Sequence, residues 1–189
     1  INTAYLNRIP LSSSGFYKTD KINVNTKTLQ GRPFLYFTYG AAVTEVIIDK
    51  LTGENKILQV DIIHDVGNSI NKRIDKGQIE GGYIQGLGWL TSEEVSWKSN
   101  GVLTTHSPST YKIPTAGETP FNFNVEIYDR GFNKEKVINR SKAVGEPPFR
   151  LAISSFIALK NAVYNANEGK NSENLIAPAT AENILKSLH

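Results

Sequence analysis

Five glycines lie in a segment that otherwise has the pattern of an α-helix, and this combination constrains the fold more than any other feature. Apolar residues recur at roughly helical spacing from Ile74 to Leu90. In a helix interior each glycine costs about 0.5–1 kcal/mol relative to alanine, so five cost about 3–5 kcal/mol. A compensating interaction is therefore expected. The five residues are Gly77, Gly81, Gly82, Gly86 and Gly88.

The spacing of these glycines predicts where that interaction lies. Gly77 is four residues before Gly81, so the pair clears one strip of helix surface, and Gly82 and Gly86 have the same spacing. Bare backbone permits close approach by a helix, a strand or a flat cofactor. Gln78, placed near the helix start, would lie where free N–H groups favour a polar or anionic ligand. The pattern alone favours tight helix packing over ligand binding.

A second segment, SKAVGEPP at residues 141–148, places a carboxylate directly before two prolines. A residue before proline is disfavoured in the α region, so Glu146 is expected to be extended. Pro147 suits the first position of a helix. Glu146 is thus predicted at a helix N-terminus, ionised and on a stiff backbone, as a general base requires. The pattern alone nevertheless favours a plain acidic helix cap.

The first third of the chain predicts strands that follow an irregular start. Residues 1–33 are polar and broken by glycine and proline. Residues 34–48 are dense in β-branched and aromatic side chains and predict a strand pair or one bent strand, with Gly40 at the bend. A turn at residues 49–54 then leads into a partner strand at 57–64, which completes a hairpin.

Helices and strands continue to alternate towards the end of the chain, which makes the fold α+β with mixed or antiparallel strands. Asp75, three residues before Gln78, resembles the start of a capping box for the glycine-rich helix. The remaining predicted elements are a strand at 123–127, a long helix from Pro147-Pro148 to about Asn167, a polar loop at 168–178 and a last helix at about 180–188.

Composition excludes several classes of function. With 39% hydrophobic and 21% charged residues in 189, the chain can bury a core. The net charge of +3 is small, and no basic run is interleaved with aromatic residues, so nucleic-acid binding is not expected. The sequence contains no apolar stretch of about 18 residues, so no membrane span is predicted.

The absence of cysteine rules out disulfides, zinc–thiolate sites and iron–sulfur clusters built from this sequence, and it suits a reducing cytoplasm. Methionine is also absent and the chain begins with Ile1. We therefore expect a fragment of a longer polypeptide, with N-terminal processing as the alternative explanation.

The other chemically interesting side chains are weaker candidates. His64, His106 and His189 show no metal-ligand spacing, so no metal site made of protein ligands is expected. Asp61 and Asp65 could pair, although acids at strand ends are more often solvated. Three aromatic residues are interpreted as core residues and not as ligand stackers: Tyr83, Trp89 and Trp97.

Seven short motifs follow one another along the chain: LSSSGFY (11–17), YFTYG (36–40), DVG (65–67), GQIEGG (77–82), QGLG (85–88), PSTYKIP (108–114) and SKAVGEPP (141–148). Their shared order resembles the C-terminal molybdenum-binding region of the xanthine dehydrogenase and aldehyde oxidase family. Each motif alone is weak, whereas the order and spacing are specific and cover nearly the whole chain. The resemblance implies that residues 1–189 are the C-terminal lobe of the family's molybdopterin-binding domain, without its upstream half.

The resemblance also implies how a cofactor is held. In this family a pterin dithiolene binds the molybdenum, so the protein supplies no metal ligand. Gln78 matches the glutamine that hydrogen-bonds the pterin, and Gly77 before it is expected to bind the cofactor as well. The backbone before Glu146 is expected to contact the cofactor too, through Lys142, Ala143, Val144 and Gly145.

Glu146 matches the catalytic glutamate of the family. The resemblance implies that it takes a proton from a molybdenum-bound hydroxide, whose oxygen attacks an electron-poor substrate carbon while hydride passes to a sulfido ligand. The PSTYKIP motif and the strand rich in phenylalanine and tyrosine favour xanthine dehydrogenases, with xanthine or hypoxanthine as substrate. An aldehyde or another N-heterocycle is the alternative substrate, and a non-catalytic assembly domain is the alternative role.

Expected partners follow from the same resemblance. They are the remainder of the molybdenum subunit, iron–sulfur (2Fe-2S) and FAD domains or subunits, and NAD as electron acceptor, in a dimeric cytoplasmic enzyme. The residues that orient and sandwich the substrate in this family match nothing in the chain. The isolated chain is therefore expected to be inactive.

Overall fold

The computed structural model describes residues 1–170 and 172–189, which form two compact units, Ile1–Phe37 and Thr38–His189. The first unit contains helix α1 (Asn2–Leu6) and a hairpin of strands β1 (Asn23–Asn25) and β2 (Gln30–Arg32). The predicted irregular start therefore contains short regular elements.

A mixed three-stranded sheet forms the frame of the second unit. Its strands are β3 (Gly40–Ile48), β4 (Asn55–His64) and β5 (Asn122–Ile127). β3 and β4 pair antiparallel across the predicted turn, and β5 lies parallel to β4 on its other side. The predicted hairpin, the predicted strand near residues 123–127 and the α+β class are confirmed.

The prediction that residues 34–39 are strand is wrong. Gly40 pairs with His64, the last residue of β4, so the residues before Gly40 lie beyond the end of the ladder. Gly40 starts β3 and does not bend it, and a β-bulge falls between Glu45 and Val46 instead. A Cβ on Gly40 would lie 3.0 Å from Cδ2 of His64, so close packing explains this glycine.

The second unit also contains three α-helices: α2 (Lys72–Thr91), α3 (Ile153–Ala166) and α4 (Ala181–Leu188). Helix α2 contacts β5, α3 packs on β3, and α4 packs on α3. The glycine-rich pattern is therefore a helix, as predicted. Its cap is Asn71, whose side chain accepts hydrogen bonds from the backbone of Arg73 and Ile74, so the predicted capping box at Asp75 is wrong. Asp75 instead accepts a hydrogen bond from the hydroxyl of Ser69.

The two prolines change the start of the long helix. Pro147–Ala152 is a 3₁₀ helix, and α3 continues directly from it. The position of the predicted helix is therefore confirmed, but its first turns are 3₁₀ and not α-helical. Pro147 and Pro148 occupy the first two positions of the 3₁₀ helix, where the missing N–H of proline leaves no helix hydrogen bond unmade. The predicted loop at 168–178 includes Asn171, which lies outside the described residues.

Among the helices of the described part of the chain, none has the length and apolar character that crossing a membrane requires.

Tyr83 joins the layers of the core. Its side chain is fully buried, and its hydroxyl is hydrogen-bonded to Thr44 on β3 at 2.9 Å and to Ser155 on α3 at 2.6 Å. The prediction that Tyr83 is a core residue is confirmed. The same prediction is wrong for Trp89 and Trp97, which are 54% and 61% exposed.

Gly82 and Gly86 let α2 touch the backbone on both sides of Glu146. A Cβ on Gly82 would lie 2.9 Å from the carbonyl oxygen of Gly145. A Cβ on Gly86 would overlap the carbonyl oxygen of Phe149 and lie 2.9 Å from Cβ of Ala152. The close approach predicted for this glycine pair is confirmed, and its partner is the 3₁₀ helix.

The other glycines of α2 differ among themselves. A Cβ on Gly77 or Gly81 would meet no described atom within 4 Å. Gly88 packs tightly, since a Cβ there would lie 2.5 Å from Cγ of Pro114. Helix packing therefore accounts for part of the glycine content and leaves one bare, open strip at Gly77 and Gly81.

Gly86→Ala is expected to lower the free energy of unfolding by about 1–3 kcal/mol, because the added methyl group overpacks the contact with the 3₁₀ helix. Gly81→Ala makes the same change on the same helix in open space. It should be neutral or stabilising by up to about 1 kcal/mol. Urea denaturation of both variants checks this, and equal effects at the two positions would contradict the packing account.

Candidate active site

The SKAVGEPP segment runs from the end of the sheet to the bare face of α2. Gly67 and Ser141 form an antiparallel bridge, and the backbone N–H of Lys142 donates to the carbonyl of Val66 at 2.8 Å. The segment therefore starts against the loop that follows β4. It ends where Gly145 packs on α2, so both of its ends are held.

Glu146 lies at the exposed end of this segment. Its backbone is in the α region, with φ −99° and ψ −35°, so the predicted extended conformation is wrong. The N–H of Phe149 donates to the carbonyl of Glu146 at 3.0 Å, which draws the residue into the first 3₁₀ turn despite the following proline. The carboxylate accepts no capping hydrogen bond from the described residues of that helix. Glu146 therefore occupies the N-cap position, but its side chain does not act as a helix cap.

Gln78 is exposed and lies beside the same segment. It is the seventh residue of α2, past the first turn whose N–H groups are free, so the predicted dipole site at the helix start is wrong. A Cβ on Gly145 would lie 3.3 Å from Oε1 of Gln78. Gln78 and the Gly145 backbone, 67 positions apart, are therefore neighbours, with exposed Gly77 next to Gln78 and Glu146 next to Gly145.

The three residues before Gly145 face different surroundings. Val144 packs against the hydrophobic core, and the side chain of Lys142 is buried. Ala143 is exposed, and its carbonyl accepts a hydrogen bond from the hydroxyl of Thr38 at 3.5 Å. A ligand on the open surface would therefore meet backbone, and not a side chain, at Lys142 and Val144.

Asp65 is the residue whose importance the sequence did not reveal. It is buried and forms an ion pair with Lys142, so the expectation of a solvated strand-end acid is wrong. Its Oδ1 accepts a hydrogen bond from the N–H of Gly67 at 2.8 Å. This is an Asx-type turn. The sequence Asp-x-Gly at residues 65–67 is the local pattern that could have indicated a hydrogen-bonded carboxylate.

His64, which ends β4 as predicted, is buried next to this ion pair. Its Nδ1 has no hydrogen-bond partner among the described residues. Burial lowers the pKa of His64, and the neighbouring Asp65 raises it by a smaller amount. Because burial dominates, the neutral imidazole is favoured.

Two further features lie apart from these residues. A cleft of about 740 Å³ is lined by the hairpin turn, the end of α2 and residues near Pro114, and it contains none of the predicted site residues. Within residues 1–170 and 172–189, no three acidic or histidine side chains are grouped to hold a metal ion. The candidate site is therefore the exposed surface of Gly77, Gln78, Gly145 and Glu146.

Comparison with known families identifies similar proteins. Residues 1–120 match the family model described as "Molybdopterin cofactor-binding domain", which includes Gln78 and ends before Glu146. The chain is 47% identical to xanthine dehydrogenase/oxidase of Felis catus over 97% of its own length. It is 46% identical to xanthine dehydrogenase of Oryza sativa subsp. japonica over 95% of its length.

The chain spans 14% of the length of each of these curated relatives. Among solved structures, aldehyde oxidoreductase from Desulfovibrio gigas superposes on 99% of this chain with a TM-score of 0.71 and 22% sequence identity, and the match covers 19% of that protein. This likeness shows that the chain has the fold of one part of that larger protein.

His64→Leu is expected to make folding less sensitive to acid. Because the folded-state pKa of His64 lies below its ordinary value of 6.5, the unfolded chain binds the proton more readily, and stability falls as the pH drops below about 6.5. The variant should lose part of the decrease in unfolding free energy seen between about pH 7.5 and 5.5, whereas His106→Leu at an exposed position should retain it. Denaturation at both pH values checks this, and an unchanged decrease in His64→Leu would contradict it.

Proposed function

We propose the function of this chain from its family, since it belongs to the molybdopterin cofactor-binding domains and, within them, to the molybdenum hydroxylases that include xanthine dehydrogenase. We infer that it forms one side of the molybdenum site of such an oxidoreductase. Other parts of the larger protein complete the site, in keeping with the 14% of the relatives' length that the chain spans.

The surface around Gln78 fits a pterin cofactor. An exposed side-chain amide both donates and accepts hydrogen bonds, as the polar edge of a pterin requires. The open backbone at Gly77 and Gly81 leaves room for a flat ring to approach, because no described atom lies within 4 Å of a Cβ placed there. The backbone of Gly145 borders the same surface, since a Cβ placed there would lie 3.3 Å from Oε1 of Gln78. When bound, the molybdenum cofactor supplies the redox chemistry of hydroxylation.

The observation that carries the proposal is the state of Glu146. Its carboxylate is exposed and makes no capping hydrogen bond to the described 3₁₀ helix, while its backbone is fixed between Gly145 on α2 and two prolines. A carboxylate that is not engaged in structure but is held in place suits a general base. Glu146 accepts the proton released when the substrate carbon is hydroxylated.

The substrate is proposed from sequence identity. The relatives at 46–47% identity are named xanthine dehydrogenases, which favours xanthine or hypoxanthine over an aldehyde. The chain has no cysteine, so 2Fe-2S clusters would be bound by other domains or subunits. FAD and the NAD acceptor are assigned to those parts from the family alone.

Glu146→Gln in the complete enzyme is expected to lower kcat by about 10²–10⁴-fold, because the amide keeps the shape and loses the proton acceptor. Molybdenum content should stay the same. Xanthine oxidation and metal analysis of the same preparation measure both. Glu168→Gln, at an exposed position beyond the end of α3, is the matched control and should leave kcat unchanged.

Near-normal turnover by Glu146→Gln would refute the catalytic proposal and favour an assembly role for the chain. Turnover of aldehydes with no oxidation of xanthine by the unaltered enzyme would leave Glu146 as the base and change the substrate.

Gln78→Ala is expected to reduce molybdenum per protein, because the cofactor loses a hydrogen-bonding amide. The enzyme that retains metal should show a smaller loss of kcat per molybdenum atom than Glu146→Gln does. Glu80→Ala is the control, since this exposed residue is two positions further along α2 and points to a different side of the helix. Full molybdenum content in Gln78→Ala would contradict the cofactor role.

A further inference from the structure

We propose that Lys142 is a positioning residue, whose buried ion pair with Asp65 fixes the segment that carries Glu146. The inference rests on the proposed function of Glu146 as the base. It gives the Lys142 side chain a task that is distinct from any backbone contact with a cofactor.

The ion pair is enclosed and each partner is held separately. The side chains of Lys142 and Asp65 are only 7% and 8% exposed. The N–H of Asp65 donates to the carbonyl of Tyr39, and its Oδ1 accepts from the N–H of Gly67, both at 2.8 Å. The ammonium of Lys142 also lies 5.3 Å from the centre of the Tyr39 ring, a cation–π contact. The carboxylate that receives Lys142 therefore has little freedom to move.

Two glycines shape the backbone around this carboxylate. A Cβ on Gly131 would overlap Oδ1 of Asp65 and lie 2.8 Å from its Cγ. Gly67 has φ +61°, a left-handed conformation, and a Cβ there would lie 3.2 Å from Cγ of Lys142. The enclosure thus excludes any side chain at two places next to the ion pair.

Stability is a poor explanation for such a pair. Taking two charges out of water costs about as much as their mutual attraction returns, and an apolar pair of similar size often stabilises a core equally well. What charges add is a defined geometry, since each has one partner at one place. Here that geometry fixes residue 142 relative to the loop after β4.

The position of Lys142 in the chain makes this anchor relevant to catalysis. Lys142 is four residues before Glu146, and the chain on the two sides of Glu146 is held where Gly145 and Pro148 pack on Gly82. The intervening stretch is short, so a shift at residue 142 is transmitted to the carboxylate. A misplacement of about 1 Å can cost about 10²-fold in rate.

The test uses Lys142→Met in the complete, molybdenum-loaded enzyme with xanthine as substrate. We expect kcat per bound molybdenum to fall by about 10- to 100-fold with little change in KM, because the base is displaced while the substrate site elsewhere is intact. Lys142→Arg, which keeps the charge, should recover part of the loss. Lys186→Met removes an exposed ion pair with Glu182 on α4 and should behave as wild type.

A second variant keeps the test decisive if the single replacement does not fold. Asp65→Leu combined with Lys142→Met leaves no unpaired buried charge, so it should accumulate as holoenzyme. We expect its kcat per molybdenum to remain low. Wild-type kcat per molybdenum in either variant would overturn the proposal. It would do so even if molybdenum content or thermal stability were reduced, because the ion pair would then contribute only to folding.

Glu146→Gln, assayed in parallel, separates this inference from the proposed function. If Glu146→Gln turns over normally, the catalytic proposal fails and the positioning role fails with it. If Glu146→Gln is inactive while Lys142→Met has wild-type kcat per molybdenum, only the positioning role fails.

Discussion

The bare backbone of α2 at Gly82 and Gly86 is the contact on which the rest of the site depends. Without side chains there, the carbonyl oxygens of Gly145 and Phe149 rest directly on the helix. That approach sets the start of the 3₁₀ helix and brings the segment before it beside Gln78. Close packing of two backbones thus positions two chemically distinct groups, an amide and a carboxylate, on one exposed surface.

The same arrangement explains how an exposed residue is kept in place. The segment that carries Glu146 is anchored before Glu146 by the buried pair of Lys142 and Asp65. After Glu146 it is held by Pro148, which packs on Gly82 of α2. Its backbone is fixed while its carboxylate stays outside the hydrogen bonding of the described 3₁₀ helix. A proton acceptor needs both properties, since it must be positioned before the substrate arrives and unoccupied when the proton moves.

Local sequence rules predicted the helix contact at two glycines but not the backbone conformation of Glu146 or the burial of Asp65. The spacing of Gly82 and Gly86 predicted a close approach on α2, and the structure confirms it. The proline rule for Glu146 failed because a hydrogen bond from Phe149 outweighed the local preference. The burial of Asp65 depends on a lysine 77 residues away, which no local pattern encodes. The family resemblance was predictable from the order of the motifs, and the matches to known proteins confirm it.

The most direct measurement is an experimental structure of the complete enzyme with the molybdenum cofactor and a slowly reacting substrate bound. The account predicts that a carboxylate oxygen of Glu146 lies within about 2.6–3.2 Å of the group that loses its proton, with the amide of Gln78 hydrogen-bonded to the pterin. A Glu146 carboxylate that faces bulk solvent, or that lies on the opposite side of the domain from the metal, would contradict it.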